Sequence, residues 1–320
     1  MNAVMTKPTI GDSWRLARRH LSEDLLSEDQ AQHLQDLSDQ LPGDLHCALD
    51  VSLADEFDEP APPRLELSVS SPQQADDLPE LLGHPYGAIL REWIDGKIPT
   101  RAISGFSYSL PLVSDLETAL KDVVPSVQLE RTAPPQWSMD SFLPLFHRRQ
   151  FTEQQKFFLL RLGHQLPPTG RPFHITSLGD EGLRFRTFDW SAQRVLPFLH
   201  GFSLAQLASD VSSLLPLWAA AEQRMVTFDF GDEDFLPRLR LECSFEQRKG
   251  DEPRWQELLE DLAEREMATP EAADAVLEWA GQSEGDLERR LELMQWQVSS
   301  EAPPEARALL AIRRSEAGAP

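Results

Sequence analysis

Cysteine, lysine and tyrosine are all scarce in this chain. Its 320 residues hold two cysteines, five lysines and two tyrosines. Two cysteines, Cys47 and Cys243, build neither a disulfide framework nor a four-thiolate metal site. No H-E-x-x-H or C-x-x-C occurs, so neither metal nor any other cofactor is expected. P-loop, G-x-G-x-x-G and G-x-S-x-G patterns are missing as well, which leaves nucleotide binding and hydrolase triads without support. No apolar run approaches the roughly 18 residues of a membrane span. The start, MNAVMTKPTIGDSW, lacks the apolar stretch of a signal peptide, so a cytoplasmic protein is expected. Basic charge is the scarcer sign: 30 Lys and Arg stand against 53 Asp and Glu, a net −23. Such a chain repels nucleic-acid phosphate and an anionic membrane surface, and neither is expected as a partner.

What is present suffices for a folded core. The hydrophobic share is 41% and the charged share 26%, which reads as globular. Between Trp14 and Gln40 apolar residues recur at helical spacing, and Ser27 with Gln30 forms a capping box inside the stretch, predicting two short helices. The period then changes to two. In His46–Leu53, Cys47, Leu49, Val51 and Leu53 share one face; in Arg64–Ser70, Leu65, Leu67 and Val69 do the same. Residues 224–245 repeat that grammar of strand, acidic turn and strand, with Asp50 matching Asp229 and Arg64–Leu65–Glu66 matching Arg240–Leu241–Glu242. Helical segments follow both copies and stop near Gly96 and Gly281, so an internal repeat is indicated. Further strand pairs are predicted at Arg101–Leu110 with Ser126–Arg131, Pro172–Ser177 with Leu183–Phe188, and Met294–Ser299 with Ala308–Arg313. Helices are predicted over 139–164, 191–222, 252–280 and 283–291.

Ten strands in five pairs carry apolar faces that the helices must cover. Their other faces collect Asp50, Arg64, Glu66, Ser107, His174, Thr176, Arg184, Arg186, Thr227, Asp229, Arg238, Arg240, Glu242, Gln295 and Gln297. Such a face is either the wetted side of an open sheet or the polar lumen of a closed barrel. The five-fold pairing favours closure, which also removes both exposed edges.

At this point the chain resembles the ABBA fold of aromatic prenyltransferases. The likeness is carried by Phe228–Asp229 with Arg238, Arg240 and Glu242, by Leu49–Asp50 with Arg64 and Glu66, and by Phe173–His174 with Arg184–Phe185–Arg186. It implies an α+β fold: one domain over 1–320, a ten-stranded antiparallel barrel of five αββα units with helices outside. The units fall at about 10–97, 98–135, 138–190, 191–281 and 282–320. It also implies arginines and lysines gripping a diphosphate, tyrosines shielding an allyl cation, and an acidic residue activating the acceptor. The chain departs from that pattern in tyrosine and lysine. Its carboxylates are placed to neutralise the arginines across strands.

A second resemblance rests on FDFGDEDFLPRLRLECSF, EPRWQELLEDL and ATPEAADAVLEWAG. These segments resemble uncharacterised proteins encoded beside ribosomal-peptide maturation enzymes, including those forming lanthionine rings. That likeness implies a tailoring or precursor-handling protein with a peptide in the lumen. If catalytic, it would be a metal-free cyclase using His174 as acid/base with Asp229 and Glu242 assisting. Arg64, Arg184, Arg186, Arg238 and Arg240, with aromatic walls from Phe173, Trp190 and Trp296, would hold the peptide. Prenyl transfer is the alternative. A non-enzymatic adaptor joining a modifying enzyme to its precursor is the third. The remaining features read as structural: Cys47 and Cys243 as buried small hydrophobes, His147–Arg148–Arg149 as a solvated helix face, and SLADEFDE and GDEDF as turns.

Overall fold

A computed structural model describes residues 9–314 apart from 44, 55–61, 76–77, 84–85, 98–102, 130–165, 167–171, 179–181, 203, 232–233, 248–251 and 282–286. The predicted helix over 139–164, the His147–Arg148–Arg149 cluster and most of the SLADEFDE segment lie outside the described residues. Ten strands run β1 (His46–Ser52), β2 (Arg64–Val69), β3 (Ile103–Pro111), β4 (Val124–Leu129), β5 (Pro172–Ser177), β6 (Leu183–Phe188), β7 (Gln223–Phe230), β8 (Phe235–Ser244), β9 (Leu287–Ser299) and β10 (Glu305–Arg314). Each pairs antiparallel with its sequence neighbour, and β1 pairs with β10, so the sheet closes into a barrel. All ten predicted strands form, in five pairs.

Alternation sorts the barrel into two faces. Leu65, Leu67 and Val69 of β2, Phe185 of β6 and Leu239, Leu241 and Cys243 of β8 point outward and are buried. The helices cover them. Ile10–Ala17 and Glu28–Ser38 are the two short helices predicted before β1; the second starts at the predicted box, Ser27 Oγ accepting from Gln30 N–H and Gln30 Oε1 from Ser27 N–H. Two helices, Ala192–Gly201 and Ala208–Ala219, lead into β7, and Pro253–Glu264 with Pro270–Gly281 lead into β9. Seven tryptophans (14, 93, 190, 218, 255, 279 and 296) are fully buried in the layer between helices and sheet. Trp14 and Trp279 stack with ring centroids 5.6 Å apart, which ties the first helix to the last. Cys47 and Cys243 are free and buried in the same layer, where burial pushes the Cys47 thiol up to about 12.

One expectation fails here. Residues 287–291 are the start of β9, not helix. Leu287 and Leu291 satisfy a helical spacing and a strand alternation equally. A bulge at the Leu309/Leu310 step of β10 then shifts the phase, so that Met294 and Trp296 take over the outward face. Gly105 of β3 marks a close approach, since a Cβ there would lie 2.3 Å from the Val69 carbonyl oxygen.

The stacked pair gives a direct test of the layer. Trp279→Ala is expected to cost about 3–5 kcal/mol in chemical denaturation. Leu16→Ala, at a site 55% exposed, is expected to stay within about 0.5 kcal/mol.

Candidate functional site

Every second residue of each strand turns into the barrel, and there the polar set converges. A cavity of about 310 Å³ is lined by Arg64, Arg184, Arg186 and Arg240 against Asp50, Glu66 and Glu242. His174, Gln128, Thr176, Thr227, Gln295 and the serines 68, 107, 109 and 126 complete its polar wall. The volume is at the small end of the range for ligand sites. Four arginines against three carboxylates make this interior cationic within a chain of net charge −23.

Cross-strand pairing neutralises most of that charge. Asp229 accepts from Arg184 through both oxygens, at 2.6 and 2.8 Å, and also holds Arg238. Burial pushes the Asp229 carboxyl upward, but the Arg184 hydrogen bond and the charges of Arg184, Arg240 and Arg238 outweigh it and hold it below the usual range. Glu242 is fully buried, lies 2.7 Å from Arg186 Nε and accepts from Thr227 Oγ1 at 2.5 Å. Asp50 accepts from Arg307 Nε at 2.9 Å and Gln295 Nε2 at 3.0 Å. Arg64 donates to the Ser109 hydroxyl at 2.7 Å and to the carbonyls of Ser109 and Asp122.

Arg240 differs from all of these. Among the described residues its guanidinium has no hydrogen bond and no ion pair; Asp229, Asp50 and Glu242 act on it from further away. Burial, then the neighbouring charge of Arg184, pull its pKa down to about 10, so it stays a cation at neutral pH. Two more groups are displaced. Burial pushes the Glu66 carboxyl up, and nearby Asp50 adds to this. Burial and the facing Arg186 hold His174 well below 6.5, so its imidazole is neutral at pH 7. Arg240, Thr227, Arg186, His174 and Gln128 are successive partners across β8 to β4, forming one row along the wall.

Of the predicted site residues, the structure brings His174, Glu242, Arg64, Arg184, Arg186 and Arg240 to the cavity, with Asp229 and Arg238 beside it around Arg184 and Arg240. Trp190 and Trp296 are elsewhere, and the expectation of aromatic walls from them is corrected. Trp296 neighbours Gln295 and Gln297 on a strand, so alternation turns it out into the helix layer. Trp190 follows β6, its indole donating to Thr187 Oγ1 at 2.7 Å and its ring meeting Phe198 edge-on. The side chain of Phe173 lies outside the described residues. Neither described tyrosine lines the cavity: Tyr108 faces the helices and Tyr86 sits on a surface helix. Sequence reasoning missed Arg307, one residue before the expected strand start, and Gln128, which the alternation of SVQL would have placed. No three of the described His, Cys, Asp and Glu are grouped to hold a metal ion.

This closed ten-stranded barrel, with helices outside and charge inside, is the fold of ABBA-type aromatic prenyltransferases. The 5-dimethylallyltryptophan synthase of Streptomyces coelicolor matches with a TM-score of 0.52 and 15% identity over 96% of each chain. The prenyltransferase PriB matches in its apo form with a TM-score of 0.58 and 13% identity over 97% of each chain. PriB in complex with L-tryptophan and dimethylallyl thiolodiphosphate matches at 0.54 and 14%, again over 97% of each. No family model and no curated protein matches the sequence itself. None of the described helices is long and apolar enough to cross a membrane.

Two measurements test this electrostatic layout. Asp229→Asn leaves Arg184 and Arg238 without their carboxylate and is expected to cost about 3 kcal/mol, the low end for a broken buried pair because Arg238 is a third exposed. The depressed His174 pKa means that the folded state resists protonation. The stability it contributes is present above about 6.5 and is lost as pH falls below that. His174→Gln is therefore expected to flatten the acid side of the stability curve, read by thermal unfolding from pH 7 down to pH 5.

Proposed function

We propose that the chain binds an allylic diphosphate in the barrel lumen and transfers its prenyl group to an acceptor held beside it. The observation that carries this reading is Arg240, a lumen cation that no carboxylate among the described residues engages directly while its neighbours Arg184 and Arg186 are paired. A half-buried guanidinium without a directly bonded counter-ion is costly, and a phosphate oxygen pair is the partner its fork fits. Two bases line the same cavity: the neutral His174 imidazole, three strands along the row from Arg240, and Glu66 of β2. Transfer breaks the donor's carbon–oxygen bond, and the electron pair departs with diphosphate. A new bond forms between the allyl carbon and the acceptor, and the acceptor's proton goes to one of these bases. The named fold neighbours support the same chemistry.

Handling of a precursor peptide, with a modifying enzyme as partner, ranks second. The same lumen would take the peptide, but neither named neighbour speaks for it, and aromatic walls from Trp190 and Trp296 are missing. Oligomeric state enters neither reading.

Thermal unfolding with pyrophosphate or dimethylallyl thiolodiphosphate tests the proposal. At about a hundred times its dissociation constant the ligand is expected to add roughly 2.7 kcal/mol, an upward shift of a few degrees. Arg240→Met is expected to abolish that shift without lowering the midpoint of the unliganded protein, because it removes an unpaired buried charge. No shift in the wild type, or a ligand response that survives Arg240→Met, would sink the proposal.

A further inference from the structure

Opposite Arg240 the lumen has a different chemistry. In the closed order of ten strands, β8 and β3 are five positions apart and face each other across the cavity. On that side β2, β3 and β4 present Ser68, Ser107, Ser126 and Gln128, uncharged groups that both donate and accept, beside the charged Arg64 and Glu66 of β2. Ser126 is engaged by Thr176 Oγ1 at 2.9 Å. Ser68, Ser107 and Gln128 make no side-chain hydrogen bond among the described residues, although all three line the cavity. No phenylalanine, tyrosine or tryptophan side chain belongs to its described wall. Among the described residues the lumen thus has one arginine on β8 without a direct partner and, across from it, three uncharged groups on β2, β3 and β4 without a side-chain hydrogen bond.

We infer that the molecule bound beside the anion is an acceptor rich in hydroxyl or amide groups, taken by Ser68, Ser107 and Gln128, and not a bare aromatic ring. Polar groups inside a closed barrel lose water when a ligand enters and must find replacement partners. A flat apolar ring offers none, whereas a hydroxyl or peptide amide answers both the donor and the acceptor of each wall group. Rejection of a ligand that leaves buried polar groups unpaired is the stronger form of selectivity. This inference rests on the lumen being the binding site of the proposed function, and it specifies the acceptor class within it.

The test measures equilibrium binding of three probes with and without saturating pyrophosphate: acetyl-Ser-Gly-amide, glycerol and 3-methylindole. The peptide amide or the polyol is expected to bind and 3-methylindole to bind at least tenfold more weakly; which of the first two binds identifies the source of the polar groups. Ser107→Ala and Gln128→Ala are each expected to weaken that binding about three- to tenfold, the worth of one neutral hydrogen bond, with thermal unfolding confirming that each variant folds. Tighter binding of 3-methylindole, binding unchanged in both variants, or no binding by either polar probe would each overturn the inference. If pyrophosphate fails to bind while a polar probe binds through Ser107, the diphosphate reading falls and the neutral wall stands.

Discussion

A charged side chain turned into a closed barrel is largely cut off from bulk water, and the lumen is arranged around that constraint. Desolvating a guanidinium or a carboxylate costs several kcal/mol, which only a well-placed opposite charge and further hydrogen bonds offset. Asp229 therefore serves two arginines at once, Glu242 is held between Arg186 and Thr227, and Asp50 is shared by Arg307 and Gln295. Four of the five pairs of strands contribute to these contacts, so the polar network and the closure of the sheet support each other. Among the described residues Arg240 is a lumen arginine for which that rule is left unmet, and an unmet charge of this kind is where function is to be sought.

The barrel's outer layer solves the opposite problem. Each strand shows an apolar face that water must not reach, and closely packed aromatic rings fill the gap beneath the helices. Phe198, Phe202, Phe228 and Phe235 form one such group, with centroids 4.8 to 5.9 Å apart. Because the seven described tryptophans lie in this layer, the described wall of the lumen is left without one. The division of labour between the faces is what makes the cavity polar.

Much of the fold was legible from alternation alone. Two-residue periodicity located all ten strands, and the capping box at Ser27 located a helix start. The same alternation assembles the face bearing Asp50, Arg184, Arg240 and Glu242. What failed did so for identifiable reasons. The stretch from Leu287 to Leu291 fits two periods, and a bulge that no local signal marks decides between them. Trp296 was assigned to the lumen although its neighbours Gln295 and Gln297 already occupied that face. The same alternation, applied strictly, would have excluded it. Which arginine remains unpaired was not legible at all: it depends on Asp229 turning to Arg184 and Arg238 and not to Arg240, a choice made by the register of β6, β7 and β8.

The proposed function has this acidic chain bind a compact anion in its cationic lumen. The most direct test is a crystal structure with dimethylallyl thiolodiphosphate. The account predicts density for the diphosphate inside the barrel, with its oxygens within hydrogen-bonding distance of Arg240. An empty lumen at saturating ligand, or a diphosphate bound away from Arg240, would contradict it.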